Sequence, residues 1–268
     1  MRFIRIVAAV IACAATLCVH EASAGSRPPR VTSLAGVPYR KVYLPGTDAT
    51  QAVCQLGQYG APVGAIGDEL NGGTIFFGEN DTYWTYLELR PDSCAGCGAF
   101  FAGTLSMAHL ALYFPFAPET VTVNVSVVGS VPIPCHYPNY TDPNGILCDA
   151  FSTTFDCQDP LTTVDFAIPV PPGCALTVLP QANGQVYGAG FLGFEFVTGS
   201  DTTSLHKPQI AVQASAKTCT SFNPVGFIPW DVVTNYLVGN PVMYAEVGSC
   251  ESVPVRRGTW GRLKMRYR

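Results

Sequence analysis

A chain of 268 residues, 48% of them hydrophobic and only 13% charged, has ample material for a sizeable core. Its formal charge of −4 hides a segregation: Val42 to Val255 holds eighteen acidic residues against only Arg90, Lys207 and Lys217, a balance near −15. A body of that sign repels nucleic acid and anionic lipid, which excludes nucleic-acid binding by the domain and leaves cations or basic partners as attractive ones.

The chain opens with Arg2 and Arg5, an apolar run from Ile6 to Val19, and the A-x-A sequence Ala22-Ser23-Ala24. This is the pattern of a bacterial-type secretory signal peptide, residues 1–24, cleaved before Gly25. The run is shorter than the roughly 20 residues a membrane span needs, and no later stretch is long and apolar enough to span. Val10-Ile11-Ala12-Cys13 loosely resembles a lipobox, but a lipoprotein would be left with an unusually short apolar segment. Residues 25–41, with Arg27, Arg30, Arg40 and Lys41, read as a basic linker.

Residues 42–253 read as one disulfide-stapled domain, rich in Gly and Pro and without long helix-forming runs. In chain order the candidate strands are 73–77, 83–89, 100–116, 119–130, 162–170, 175–179, 185–197, 209–213 and 241–247. The clearest is 119–130, where Val121, Val123, Val125 and Val127 share one face and Thr122, Asn124 and Ser126 the other. In 83–89, Tyr83, Thr85, Leu87 and Leu89 oppose Trp84, Tyr86 and Glu88. The run 100–116 is readable as one long strand or as a buried helix. Turn clusters such as Asn71-Gly72-Gly73, Asp142-Pro143-Asn144-Gly145 and Pro171-Pro172-Gly173 separate the strands. The fold class expected is all-β, an antiparallel β-sandwich of jelly-roll type with a short C-terminal helix or tail.

Removing residues 1–24 leaves nine cysteines, Cys54, Cys94, Cys97, Cys135, Cys148, Cys157, Cys174, Cys219 and Cys250, read in an exported chain as disulfide partners. Proximity in sequence suggests Cys135 with Cys148, Cys157 with Cys174, and Cys219 with Cys250. One thiol of Cys54, Cys94 and Cys97 then stays free or links chains. Cys94-Ala-Gly-Cys97 has no second CxxC to complete a zinc site, and it lies between strand-like runs rather than at a helix start, so a structural turn or bridge is expected over an active dithiol.

The hydrolase elbow G-x-S-x-G, H-E-x-x-H, the Walker loop and G-x-G-x-x-G do not occur. His109, His136 and His206 are scattered, and His109, inside an apolar run, reads as a satisfied strand histidine rather than a base. Glu88, Glu195 and Glu246 fall in predicted strands. They are the carboxylates a glycoside hydrolase-like enzyme would use, and otherwise solvated strand residues. For binding, Tyr83, Trp84, Tyr86, Tyr137, Tyr140 and Trp230 form the candidate sugar-stacking set, with core packing as the competing role. No cofactor and no metal site are expected. A structural calcium would have only the acidic turns at Asp142, Asn144, Asp149, Asp156 and Asp159, which follow no EF-hand pattern. The sequons at Asn80, Asn124 and Asn139 are discounted in a bacterial-type chain.

Residues 254–268 form a basic tail in which six of the last thirteen residues are Arg or Lys. Trp260, Leu263, Lys264 and Tyr267 fall at i, i+3, i+4 and i+7, the stripe of an amphipathic helix, with plain disorder as the alternative. Such a tail can target the chain to export machinery, anchor it on a membrane surface or dock on the acidic body. The ending Trp260-Gly261-Arg262-Leu263-Lys264-Met265-Arg266-Tyr267-Arg268, with Leu89 to Cys94 (LRPDSC) and the Gly239 to Glu246 strand, resembles segments of uncharacterised exported bacterial β-sandwich proteins. That resemblance implies export and possible sorting, and it supplies no site residues. The function expected is a secreted or cell-surface, non-catalytic binding or structural module whose partner is a carbohydrate or another surface protein. The alternative is a secreted carbohydrate-active enzyme working through strand carboxylates.

Overall fold

The computed structural model describes residues 30–46, 52–70, 73–75, 82–98, 101–116, 118–132, 135–139, 146–177, 179–180, 186–197, 208–225, 228–236 and 239–252. The expected signal peptide and the tail at 254–268 lie outside the described residues, as do Tyr140, Asp142, Asn144 and His206. The described residues are mostly strand. Its first part holds β1 (Arg30–Ser33), β2 (Tyr39–Tyr43), β3 (Cys54–Gln58), β4 (Pro62–Leu70), β5 (Gly73–Ile75) and β6 (Thr82–Leu89). After a 3-10 turn at Ala95–Cys97 come β7 (Phe101–Phe114), β8 (Glu119–Pro132), β9 (His136–Pro138), β10 (Ile146–Cys157), β11 (Thr162–Pro169) and β12 (Ala175–Thr177). The last third holds β13 (Leu179–Pro180), β14 (Val186–Val197), β15 (Gln209–Gln213), β16 (Ser221–Val225), β17 (Ile228–Asp231), α1 (Val232–Tyr236) and β18 (Met243–Ser252).

Two sheets pack face to face. The ten-stranded sheet runs β1-β4-β15-β7-β11-β2, with β18 between β7 and β3 and with β5 and β12 at its margins. The eight-stranded sheet runs β10-β8-β14-β6-β16-β17, with β9 and β13 attached. Among the described residues all strand pairs are antiparallel except one: β2 lies parallel to β11, from Tyr39 opposite Thr163 to Tyr43 opposite Ala167. The architecture is the expected all-β sandwich, with this one parallel pair among its antiparallel ones. The 100–116 run is a strand, β7, which ends at Phe114 directly before Pro115, a residue that cannot donate to the ladder.

Alternation decides what faces inward. Leu110, Leu112 and Phe114 of β7, Val164, Phe166 and Ile168 of β11, and Val121, Val123, Val125 and Val127 of β8 fill the space between the sheets. Phe155 of β10 stacks on Phe166, centroids 3.9 Å apart, and closes the edge. Each such buried side chain contributes about 1.5–3 kcal/mol. The opposite face of the ten-stranded sheet carries a second apolar cluster, in which Leu34 and Val37 cover Ala65, Ala111, Tyr113, Ala211, Val242 and Tyr244. Residues 30–41 are therefore not a linker. They form β1 and the start of β2 and lay their connection over the sheet, because the small residues at 65, 111 and 211 leave an apolar recess that Leu34 fills.

The outer face of the eight-stranded sheet is also occupied, by Trp84, Val128, Phe191 and Phe222. Gly193 sits opposite Trp84 in register, and a Cβ there would overlap the indole ring. Asp231 joins this side to α1: its Oδ1 accepts from the backbone N–H of Val233 and Thr234 at 2.9 and 3.2 Å, capping the helix, while its Oδ2 accepts from the N–H of Cys219.

The disulfides are Cys54–Cys94, Cys97–Cys250, Cys135–Cys219 and Cys148–Cys174. None of the pairings suggested by sequence proximity forms, because cysteines meet where strands from distant parts of the chain meet. Three bridges bolt one sheet to the other. Cys94 and Cys97, in the turn after β6, take β3 and β18, and Cys148 of β10 takes Cys174 ahead of β12. The free thiol is not among Cys54, Cys94 and Cys97 but is the buried Cys157, whose Sγ faces the carbonyl of Asp159 at 3.4 Å. Burial pushes its pKa up, against the opposing pull of that hydrogen bond and of Arg40.

Two measurements follow from this packing. Non-reducing peptide mapping should return these four linkages, with Cys157 alkylated only after the domain is unfolded. Gly193→Ala should lower stability by about 1–3 kcal/mol in denaturant unfolding, the cost of overpacking against Trp84.

Candidate functional site

His109 lies on β7 with Ala111 and Tyr113, on the face turned away from the core between the sheets. The register of four strands gathers polar side chains around it. Asp165 of β11 pairs with Ala111, Lys41 of β2 with Asp165, Tyr244 of β18 with His109, and Gln55 of β3 with Glu246. The result is a polar strip that crosses the sheet.

His109 and Asp165 are both fully buried, and Nδ1 lies 3.1 Å from Asp165 Oδ1. On the other side Nε2 lies 3.3 Å from Glu246 Oε1, at ion-pair distance but off the line of a hydrogen bond. A carboxylate against each ring nitrogen calls for a proton on both, hence an imidazolium. Burial works against that charge, but the Asp165 hydrogen bond and the Glu246 carboxylate outweigh it and raise the His109 pKa. Asp165 Oδ2 accepts from Tyr244 Oη at 2.7 Å and from Tyr39 Oη at 3.2 Å. Burial alone would raise the Asp165 pKa, yet His109, Tyr244 and Lys41 together lower it. Glu246, held chiefly by His109 and also by Gln55 and Lys41, is lowered to about 2. Burial first, then the Asp165 charge, pushes both tyrosine hydroxyls well above their usual range, so they act as donors.

Lys41 completes the balance, its Nζ 3.9 Å from Asp165, 3.7 Å from Glu246 and 5.4 Å from the Tyr244 ring centroid. Tyr244 stacks on the imidazole with centroids 4.1 Å apart and nearly parallel planes. Tyr59 stands edge-on to Tyr244 at 6.2 Å. Tyr39, Tyr43 and Tyr59 ring this strip and are 46%, 51% and 58% exposed.

The residues expected to bind divide between environments. Tyr83 faces the core, edge-on to Phe196. Trp84, Tyr86 and Tyr137 do come together, with Phe191 and Phe222, but under the Cys135–Cys219 bridge as a packed cluster, not an open stacking platform. Trp230 belongs to β17, with its side chain, like that of His136, outside the described residues. Of the strand carboxylates, Glu88 lies 3.9 Å from Arg90, and Glu195 accepts from Asn124 at 2.9 Å. Both sit on the eight-stranded sheet, roughly 20 Å apart along the strands, whereas glycoside hydrolysis needs carboxyl groups about 5–9.5 Å apart. Glu246, expected to be solvated, is instead drawn into the buried network. Among the acidic turn residues, Asp156 accepts from Thr120 and Asp159 pairs with Arg40. Among the described residues no group of three or more His, Cys, Asp or Glu side chains is placed to hold a metal ion, and no helix is long and apolar enough to cross a membrane.

Lys41, Tyr39, Tyr43 and Tyr59 escaped the sequence reading because they fall in or beside strands it did not predict. The alternation Tyr39-x-Lys41-x-Tyr43 is the signal that could have found three of them. No family model, curated protein or solved structure matches the chain.

The network sets a stability window. Because His109 is raised, its contribution is complete below about pH 6.5, the ordinary histidine value, and is lost as pH climbs through the folded-state pKa. Because Asp165 and Glu246 are lowered, theirs is present above the ordinary carboxylate range and is lost on acidification, for Glu246 down to about 2. Melting temperature against pH should therefore plateau in the weakly acidic range and fall on both sides, and His109→Asn should abolish the alkaline fall. Asp165→Asn, which strips the charge from four partners, should cost about 3–5 kcal/mol in denaturant unfolding.

Proposed function

We propose that the chain is an exported, non-catalytic module that binds a ligand on the outer face of its ten-stranded sheet. One observation carries this reading: the charged groups of that face are engaged with one another, while tyrosine rings around them stand in solvent. The His109 ring fills the space between Asp165 and Glu246, so that pair of carboxylates has no room for a water or a scissile bond between its members.

Four disulfides are typical of extracellular or periplasmic proteins. With the basic, apolar and A-x-A pattern of residues 1–24, they support cleavage before Gly25 and secretion. The chain passes repeatedly from one sheet to the other, which supports a jelly-roll type of sandwich. The basic stripe of Trp260, Leu263, Lys264 and Tyr267 is read as a targeting or anchoring segment, in keeping with the resemblance to exported bacterial proteins.

The test is the non-reduced intact mass of native protein from culture medium and from the cell envelope. The expected chain begins at Gly25 and carries four disulfides and one thiol. Loss of everything after about Pro254 would make the tail a removable sorting signal. An intact tail on envelope-bound protein that is released when the tail is deleted would make it an anchor. Recovery only from the cytoplasm with residues 1–24 attached would overturn the reading.

A further inference from the structure

We propose that the outer face of the ten-stranded sheet binds a neutral oligosaccharide, with Tyr39, Tyr43 and Tyr59 as stacking platforms and with Lys41 and Glu246 as hydrogen-bonding groups between them. The inference rests on the reading of the chain as a non-catalytic binding module. Tyr113 and Tyr244 of the same face are buried, so the three exposed rings are set apart from those that build the sheet. A flat ring standing in water on a polar surface offers an apolar face to the C–H side of a sugar, and its hydroxyl offers a polar edge. Tyr39 and Tyr43 are four residues apart on β2, about 13 Å. Tyr59 follows β3, which lies four strands from β2, about 19 Å away. That footprint fits a chain of several sugar rings and is too wide for a monosaccharide.

The rings are held in place before any ligand arrives. Tyr39 is tied through its hydroxyl to Asp165, and Tyr59 rests against Tyr244, itself stacked on His109. Such preorganisation reduces the entropy lost on binding. The charges select a neutral ligand: Lys41 and the imidazolium balance Asp165 and Glu246, so the strip is locally neutral within a body near −15, which would repel an anionic glycan. Polar capacity remains. The contacts to Glu246 from His109, Gln55 and Lys41 all converge on Oε1, and none uses Oε2. Lys41 stands beyond hydrogen-bond distance of both carboxylates and has three donors to give.

A cleft of about 660 Å³ continues the strip, lined by Thr104, Ser106, Met107, Pro169 and Ser249. Tyr43 pairs with Ala167, and Pro169 is the next residue of β11 on the same face. A glycan leaving the Tyr43 ring thus runs into a cleft edged with hydroxyl groups and proline.

Isothermal titration calorimetry on the full mature chain tests this, with cellohexaose and the hexamer of N-acetylglucosamine as neutral probes and hexagalacturonate as the anionic one. At least one neutral probe should bind and the anionic probe should not. Tyr43→Ala and Tyr59→Ala, both outside the buried network, should each weaken binding about fivefold to tenfold, with melting temperatures unchanged. The proposal is overturned if neither neutral probe binds, if hexagalacturonate binds as well, or if the Tyr43→Ala/Tyr59→Ala double variant keeps full affinity. The last result would leave a binding module whose contact face lies elsewhere, and the first would turn attention to a protein partner. Release of new reducing ends from either neutral probe is a separate failure, because it would refute the non-catalytic reading itself.

Discussion

Strand β7 must be covered on both of its faces, and most of the architecture answers that requirement. Leu110, Leu112 and Phe114 turn one face to the opposite sheet, while His109, Ala111 and Tyr113 turn the other toward what would ordinarily be solvent. A strand buried on both sides in an antiparallel sheet needs a second covering layer. Here the cover is partly apolar, the Leu34 to Val37 connection, and partly ionic, the carboxylates and tyrosines closing over the imidazole. The parallel placement of β2 belongs to the same solution: it brings Tyr39 and Lys41 beside Asp165 after the connection has crossed the sheet.

The ionic half of that cover is the costlier one. Buried charges are tolerated only when paired and hydrogen-bonded. Asp165 meets the condition fully, with an imidazole, two hydroxyls and an ammonium around it. The same arrangement gives the face its character. A body with a large excess of carboxylates presents, at this strip, charges paired with one another and aromatic rings at the rim, and polar groups whose positions are dictated by strand register rather than by loops.

Much of the sandwich was readable from alternation. The valines of β8, the double-faced pattern of β6 and the long apolar β7 mark half-buried or fully buried strands because burial on a sheet has a period of two. The strands that escaped are β1 to β4, β9, β10, β16 and β17; all but β4 are short or edge elements, and β4, which lies inside its sheet, carries Gly64 and Gly67 within its run and so shows no clean alternation. In β10 the exposed Ile146 and Leu147 stand beside Asp149 and a run of serine and threonine, so burial leaves no clean rhythm. The site was less legible still. His109 and Glu246 could be singled out one at a time, but their meeting depends on the registers of β2, β7, β11 and β18, which draw on residues from 39 to 246. Disulfide connectivity failed for the same reason: proximity along the chain says little when the partners are set by which strands lie side by side. The clustering of Trp84, Tyr86 and Tyr137 was real, yet composition alone could not say that a bridge and two phenylalanines would bury it.

The last of the described strands, β18, occupies an interior place in its sheet, between β3 and β7, and is bolted by Cys250 to a turn 153 residues upstream. The sheet therefore cannot close until β18 has left the ribosome, since the strand missing from its centre is the last of its strands to be made. Until then β3 and β7 present unpaired edges to their surroundings, and Tyr244 and Glu246 have yet to reach the imidazole. Completion of the fold, of its covalent frame and of its polar strip thus coincide in one late event, and a prematurely ended chain is denied all three together.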